Sequence, residues 1–491
     1  MKAYTHPIGI LVVLLGVFYA FTKDSATRIT PENREDEVVM CATEEKTLLP
    51  AAFFSPNLNT SSPAPLVRKS IYALSAAEIN AIKTGIAAMK ALPIGNKTSW
   101  LYQAAIHGTT SGPPQPSWNT CQHGTQFFFS WHRMYLYYFE RILRSKSGSP
   151  TLTLPYWDYQ VNPALHPDYR NSAASNPLYD GTRNASINGG GSLPASISTS
   201  INTAMTKIPF NVFQSGVEGP HGSVHVSIGG NMGAVSRAAQ DPCFWLHHTN
   251  IDRLWSKWIR MCGGRQNPTD NAWLNQTYTF FDENGNAVNM TGSQVVNTAA
   301  SLNYVYDFPP TLPCNIKWPY LEWVVIRPFK FPRPLLLNQN LLKASFTEAK
   351  PTEDAQKISN LVLNLNNQEL PDQVMVDLNG VKIDRLPEGV IEVYLNLPAN
   401  EKPSPESRSF VGVLDLFTAS AHATHTRKQI PIRINISDAV ARMGIKMAAD
   451  LSKIDLSFVV RGNSLGGQTI DARSALSIAD MDLVIERPVK K

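Results

Sequence analysis

Eleven histidines occur in this chain of 491 residues, and eight of them fall between positions 107 and 248. Six of the eight form two groups in sequence: His107, His123 and His132, then His221, His225 and His248. Imidazole is a ligand for copper, zinc, iron and nickel, so two groups of three point to two metal ions. His221 and His225 stand four apart, which on a helix places both on one face and lets them grip one ion. A single-site zinc hydrolase uses three protein ligands and leaves the second group unexplained. The carboxylate-rich pattern of a di-iron bundle, with its pair of Glu-x-x-His motifs, is not present. His6 and His166 read as ordinary surface or packed residues. His247 reads as a buried, hydrogen-bonded neighbour of the site, and His422 and His425 as loop or strand-edge residues.

Elements must aim these imidazoles inward. Ser75 and Glu78 make a capping-box pattern ahead of an apolar helix. Further helices are expected over Trp131 to Arg144 and Phe244 to Met261, carrying His132 and His248 on a small bundle. Asn162 to Ser200, rich in Asn, Ser, Gly and Pro, is expected to be loop. From Pro309 to Pro334 prolines crowd the chain and argue against regular helix. Beyond residue 345 the texture changes to short strands around 361–365, 374–378, 390–395, 410–414, 430–434, 456–460 and 481–485, which suggests a β-sandwich. The expected division is therefore 1–23 signal peptide or anchor, 24–64 linker, 65–308 histidine-bearing helical domain, 309–345 proline-rich linker and 346–491 β-domain.

Hydrophobic content of 43% and charged content of 17% describe a globular chain with a sizeable core. A net charge of +5 without a Lys/Arg-rich run gives no footing for nucleic acid. The apolar run Ile8 to Phe21, after Lys2, reads as an export signal, so the expected place is secreted, periplasmic or lumenal. An uncleaved run would anchor the protein to a membrane. Five cysteines are too few for a disulfide scaffold, and their odd number leaves one for other chemistry.

The local contexts of the histidines are more specific. His123 and His132 lie in Cys121-Gln122-His123-Gly124-Thr125-Gln126-Phe127-Phe128-Phe129-Ser130-Trp131-His132-Arg133, followed by Glu140. His248 lies in Asp241-Pro242-Cys243-Phe244-Trp245-Leu246-His247-His248, followed by Asp252. These stretches resemble the two copper signatures of the tyrosinase and catechol oxidase family, the type 3 binuclear copper proteins. The resemblance implies that His107, His123 and His132 hold one copper and that His221, His225 and His248 hold the other. Cys121, two residues before His123, resembles the cysteine that fungal members and molluscan haemocyanins join to the histidine by a thioether. Arg133, Glu140, Asp241 and Asp252 are implied to pair charges and hold the helices in register. Tyr304-Val305-Tyr306 resembles the tyrosine motif that closes the plant-type catalytic domain, with Arg68 as its N-terminal partner. The strands after residue 345 resemble the plant C-terminal domain, which covers the copper entrance in latent enzymes.

On the substrate side, Glu218 stands where family members carry a carboxylate that holds a water near the second copper. Gly222 follows His221, where a tyrosinase-like asparagine is expected, so monophenol hydroxylation stays in doubt. Val235 takes the place of a gating phenylalanine and implies a wide entrance. The expected function is oxidation of o-diphenols to o-quinones with O2, using two copper ions and small phenolic substrates. A haemocyanin-like oxygen carrier is the rival, and a zinc-binding structural protein a third reading.

Overall fold

The computed structural model describes residues 64–309, 321–331, 334–337, 340–366, 371–418, 431–465, 468–469 and 475–490. The expected signal, all of the 24–64 linker except Ala64, and His6, Cys41, Cys314, His422 and His425 lie outside the described residues. Among the described residues no helix is long and apolar enough to cross a membrane.

The helices that carry or support the histidines are α1 (Ala76–Lys90), α2 (Trp100–His107), α3 (Phe128–Ser147), α4 (Ala195–Met205), α5 (Phe210–Ile228) and α6 (Pro242–Arg260). Local chemistry sets their ends. The Ser75–Glu78 capping box starts α1 as expected. Asp241 caps α6 through the Cys243 N–H, with Pro242 in the first turn where a missing N–H costs nothing. Gly148 ends α3 in the left-handed conformation, φ 67°. The helices at 131–144 and 244–261 are each longer at the N-terminus than expected, starting at Phe128 and Pro242. Asn162 to Ser200 is not all loop, because α4 begins at Ala195. Its Ile197, Ile201, Ala204 and Met205 are buried at helical spacing, and this apolar stripe prevails over the Ser/Thr/Asn content.

A short parallel pair, β1 (Leu66–Arg68) with β2 (Tyr304–Tyr306), ties the two ends of the helical region together. After it come β3 (Leu321–Phe331), β4 (Leu341–Ser345), β5 (Lys350–Pro351), β6 (Gln373–Asn379), β7 (Gly389–Leu395), β8 (Phe410–Val413), β9 (Ile432–Asn435), β10 (Asp455–Gly462) and β11 (Asp480–Lys490). One sheet has the order β9-β6-β11-β3-β5 and another β8-β7-β10-β4. Six of the seven expected strand segments are found. The 361–365 segment is not a strand and makes only an isolated bridge from Val362 to Met447. The expected linker 309–345 is also corrected: β3 and β4 lie inside it, and β3 is an inner strand of its sheet. Pro328 is tolerated there because the β3–β11 register shifts between Leu483 and Ile485, and a proline without an N–H suits such an irregularity.

Helical and sheet regions share one buried core. Asn463 donates to the Ser227 carbonyl at the end of α5 (2.9 Å), and Ser186 donates to Glu388 (2.7 Å). The segment after β8, Leu414 to Thr418, runs against α5 and reaches the histidines.

Candidate metal centre

All six expected histidines converge in one buried cluster. His107 ends α2, His132 lies in the first turns of α3, His221 and His225 share a face of α5, and His248 lies on α6. His123 comes from the loop before α3. Within the first group the ring centroids of His107, His123 and His132 are 5.1, 5.2 and 5.8 Å apart. Within the second, those of His221, His225 and His248 are 4.8, 5.0 and 5.3 Å apart. The groups touch: His132 and His248 stack at 4.5 Å, and His123 lies 5.5 Å from His221. Donor atoms within 4.8 Å of one another join His107 with His132 and His248, His107 with Cys121 and His123, and His221 with His225, His247 and His248. Proximity therefore crosses the two sequence groups.

Backbone carbonyls orient three of the rings. Nδ1 of His107 meets Val235 O at 3.1 Å, that of His132 meets Phe128 O at 2.8 Å, and that of His225 meets Met232 O at 2.9 Å. A carbonyl at Nδ1 fixes the proton there and turns Nε2 inward as a lone pair, the form that ligates metal. Burial does the rest. It lowers His132 to about 3, against a small opposing effect of the Phe128 carbonyl. Burial, then the neighbouring imidazoles, hold His221, His225 and His248 well below the ordinary histidine range. These rings stay neutral at physiological pH. Nε2 of His132 and both ring nitrogens of His221 are buried with no hydrogen-bond partner, a costly arrangement for polar atoms unless they serve as ligands. Phe128 packs 4.8 Å from His132 and 4.9 Å from His221, and Phe244 packs 4.1 Å from His248, so apolar walls exclude water.

Buried ion pairs lock the helices behind the rings. Arg68 pairs with Glu140 of α3 (2.8 Å) and Asp252 of α6 (3.1 Å), and Arg133 also pairs with Asp252. Tyr304 and Tyr306 each donate to Asp252 at 2.6 Å, and the Arg68 guanidinium lies 3.6 Å over the Tyr304 ring. Burial alone would raise Asp252. Arg133, Arg68 and the two phenols outweigh it and hold the carboxyl below its ordinary value. Asp241 forms a separate pair with Arg183 at 2.7 Å.

Three stretches of the chain match family descriptions in order: the common central domain of tyrosinase at 97–212 and 182–261, the polyphenol oxidase middle domain at 267–324, and a domain of unknown function at 334–471. The chain belongs to the tyrosinase and polyphenol oxidase family. Tyrosinase HcTyr1 of Hahella sp. is 34% identical over 313 residues, covering 51% of this chain and 65% of that protein. Polyphenol oxidase A1 of Vicia faba is 29% identical over 289 residues, covering 50% and 48%. The chain thus spans from about half to just under two thirds of the length of these two relatives. A latent aurone synthase from natural source shares the fold, with TM-score 0.59 at 21% identity over 88% of this chain and 91% of that one.

Type 3 copper is the metal of this family, and the residues here fit it. Neutral imidazoles with orphaned, inward-facing nitrogens in a dry pocket are the donor set that copper takes, and no carboxylate lies among the grouped donor atoms. Sequence reasoning missed one residue of this polyphenol oxidase site. Phe417 is fully buried, and its ring stacks on His225 at 3.7 Å and 6°, with His123 at 5.4 Å and His221 at 5.8 Å. It sits just past a strand end, where no spacing signal ties it to a histidine of α5. Glu218 is buried too. Its carboxylate accepts from the Gly124 N–H at 2.6 Å, and burial, then the nearby Asp415, push it well above the ordinary range. Val235 is buried, and its carbonyl is what orients His107. Cys121 Sγ lies 3.6 Å from His123 Nδ1. His247 is buried as expected and stacks on His221 at 5.2 Å, although neither ring nitrogen has a partner of hydrogen-bond geometry. Cys121 and Cys243 are free thiols, whereas Cys262 is disulfide-bonded.

Proposed function

We propose that this chain is a two-copper phenol oxidase that converts o-diphenols to o-quinones with O2 and is held latent by its own C-terminal region. His107, His123 and His132 would hold one copper, and His221, His225 and His248 the other. Bound copper would supply O2 binding and electron transfer from the phenol. The observation that carries the reading is the buried convergence of six imidazoles, with oriented rings and low proton affinity.

The chain's own residues supply the rest. The carbonyls of Val235, Phe128 and Met232 keep Nε2 of three rings inward. Phe128 and Phe244 keep the pocket dry, which sharpens every electrostatic interaction inside it. A phenol ring would lie where Phe417 now lies, face to face with His225. Glu218 is turned onto Gly124 and kept neutral in this closed arrangement, so water-holding by Glu218 would begin only after the segment leaves. Cys121 would join His123 by a thioether, losing the thiol hydrogen and one ring hydrogen to O2 as the two-electron acceptor. The short Cys121–His123 approach supports this.

The blocked face at His225 favours one second reading, an oxygen carrier. Oxygen uptake by the copper-loaded protein decides, measured with an o-diphenol and with the matching monophenol after displacement of the C-terminal segment. Uptake with the diphenol alone, with quinone formed, is expected because Gly222 leaves no amide beside Glu218. Uptake with both would make it a tyrosinase. Reversible oxygen binding without uptake, once the segment is displaced, would make it a carrier.

A further inference from the structure

The face of α5 that carries Glu218 is missing side chains at two places. A Cβ on Gly219 would stand 2.9 Å from the Val413 carbonyl oxygen. A Cβ on Gly222 would collide with Oδ1 of Asp415, and would stand 2.7 Å from its Cγ and 3.3 Å from Cβ of Phe417. Beside them Ser223 donates its hydroxyl to the Leu414 carbonyl at 3.3 Å. The two glycines and the serine form a backbone-floored groove along the helix, and residues 413–417 are seated in it. Asp415 is itself buried, with Oδ1 accepting the Thr418 N–H at 3.0 Å, which bends the chain so that Phe417 turns back onto His225.

We infer that this groove is the docking site for Val413–Phe417 and that Gly222 is its socket: the absent side chain admits Asp415, and this one contact sets whether the segment closes over the histidines. The inference rests on the phenol oxidase reading only for its consequence, latency, and not for the contact. It also gives residue 222 two roles that exclude each other. A side chain there, such as the amide expected next to a water-holding carboxylate, would occupy the volume that Asp415 fills. In this chain the position serves closure.

The geometry specifies a compensating pair. Gly222→Ala adds the atom that collides, and alanine is a better helix former than glycine, so α5 is not weakened. Asp415→Ala removes both Oδ1 and Cγ, and the next neighbour of a Cβ at 222 is 3.3 Å away. The full-length protein is prepared as G222A, D415A and the double variant. Hydrogen–deuterium exchange is followed for the peptide spanning 410–418, with copper content measured alongside. G222A is expected to speed exchange of that peptide by about tenfold or more and to oxidise an o-diphenol without activation. The double variant is expected to recover protection and latency. Unchanged exchange in G222A at full copper content would overturn the inference. So would a double variant as exposed as G222A, because the effect would then be damage to the helix and not a fit between two residues. The exchange readout is independent of turnover: a chain that oxidised no phenol in any form would refute the proposed function and leave the latch to be judged by exchange alone.

Discussion

Phe417→Ala tests closure at its apolar centre. Phe417 is fully buried against His225, His221, His123 and His107, with centroids at 3.7, 5.8, 5.4 and 6.4 Å. Removing a buried phenyl ring costs about 3–5 kcal/mol, from lost transfer energy and the cavity left behind. All of that cost falls on the seated form, because the displaced segment exposes residue 417 to water. At about 1.4 kcal/mol per factor of ten, the seated-to-displaced ratio falls by roughly 10^2 to 10^3.5. The assay is oxygen uptake by copper-loaded, full-length protein with a simple o-diphenol and no activating treatment. The wild type is expected to be nearly silent, and the variant to run faster by about a hundredfold or more. The reasoning is refuted if the variant, folded and fully copper-loaded, is as silent as the wild type. It is refuted equally if the wild type already turns over at the variant's rate.

Three further outcomes follow from groups around the site. Asp415 is raised by burial from its ordinary 3.8 to about 6, against the opposing Thr418 hydrogen bonds. The seated form therefore holds the proton more tightly, so closure is strongest below pH 3.8 and is lost as pH rises through about 6. At 1.36 kcal/mol per pH unit the loss amounts to roughly 3 kcal/mol. Exchange of the 410–418 peptide should rise across that window, and a flat profile would contradict the sign. Asp252→Asn leaves Arg133 without its buried counter-charge and weakens the hold on Arg68, for a cost of about 3–5 kcal/mol. The thermal midpoint should drop clearly, and an unchanged midpoint would show that the cluster does not hold the helices together. Wild-type protein matured with copper and O2 should be two hydrogens lighter by intact mass than its sequence requires, and Cys121→Ser should abolish that deficit. Absence of the deficit in the wild type would count against the thioether.

What could be read from the sequence was what is encoded locally. His221 and His225 share one helical turn, His123 and His132 lie in one run, and Asp241-Pro242 announces the start of a helix, so both groups and three of their supporting elements could be placed. Arg68 was readable as the partner of Tyr304 and Tyr306 only through resemblance, because the parallel pairing joins opposite ends of the helical region. Ala195–Met205 was misread because its polar composition concealed a buried stripe at helical spacing. Leu321–Phe331 was misread because prolines were taken as breakers, whereas Pro328 sits at a shift of register. Phe417 and Asp415 were beyond reach. Their meaning depends on a groove made by the absence of side chains on a helix far away in the chain, and an absence has no periodicity.

The parallel pair β1–β2 has a consequence for how the chain tolerates cutting. Leu66, Val67 and Arg68 pair with Tyr304, Val305 and Tyr306, and the Asp307 N–H donates to the Arg68 carbonyl, so the helical region enters and leaves through one stapled seam. Its last tether is an arginine under two tyrosines, charge-paired to two helices. A peptide bond broken beyond Asp307 would thus free everything that follows without unravelling the histidine helices. Maturation by a single proteolytic event would then be a mechanical property of the seam, since the fragment that remains is already knotted shut at both ends.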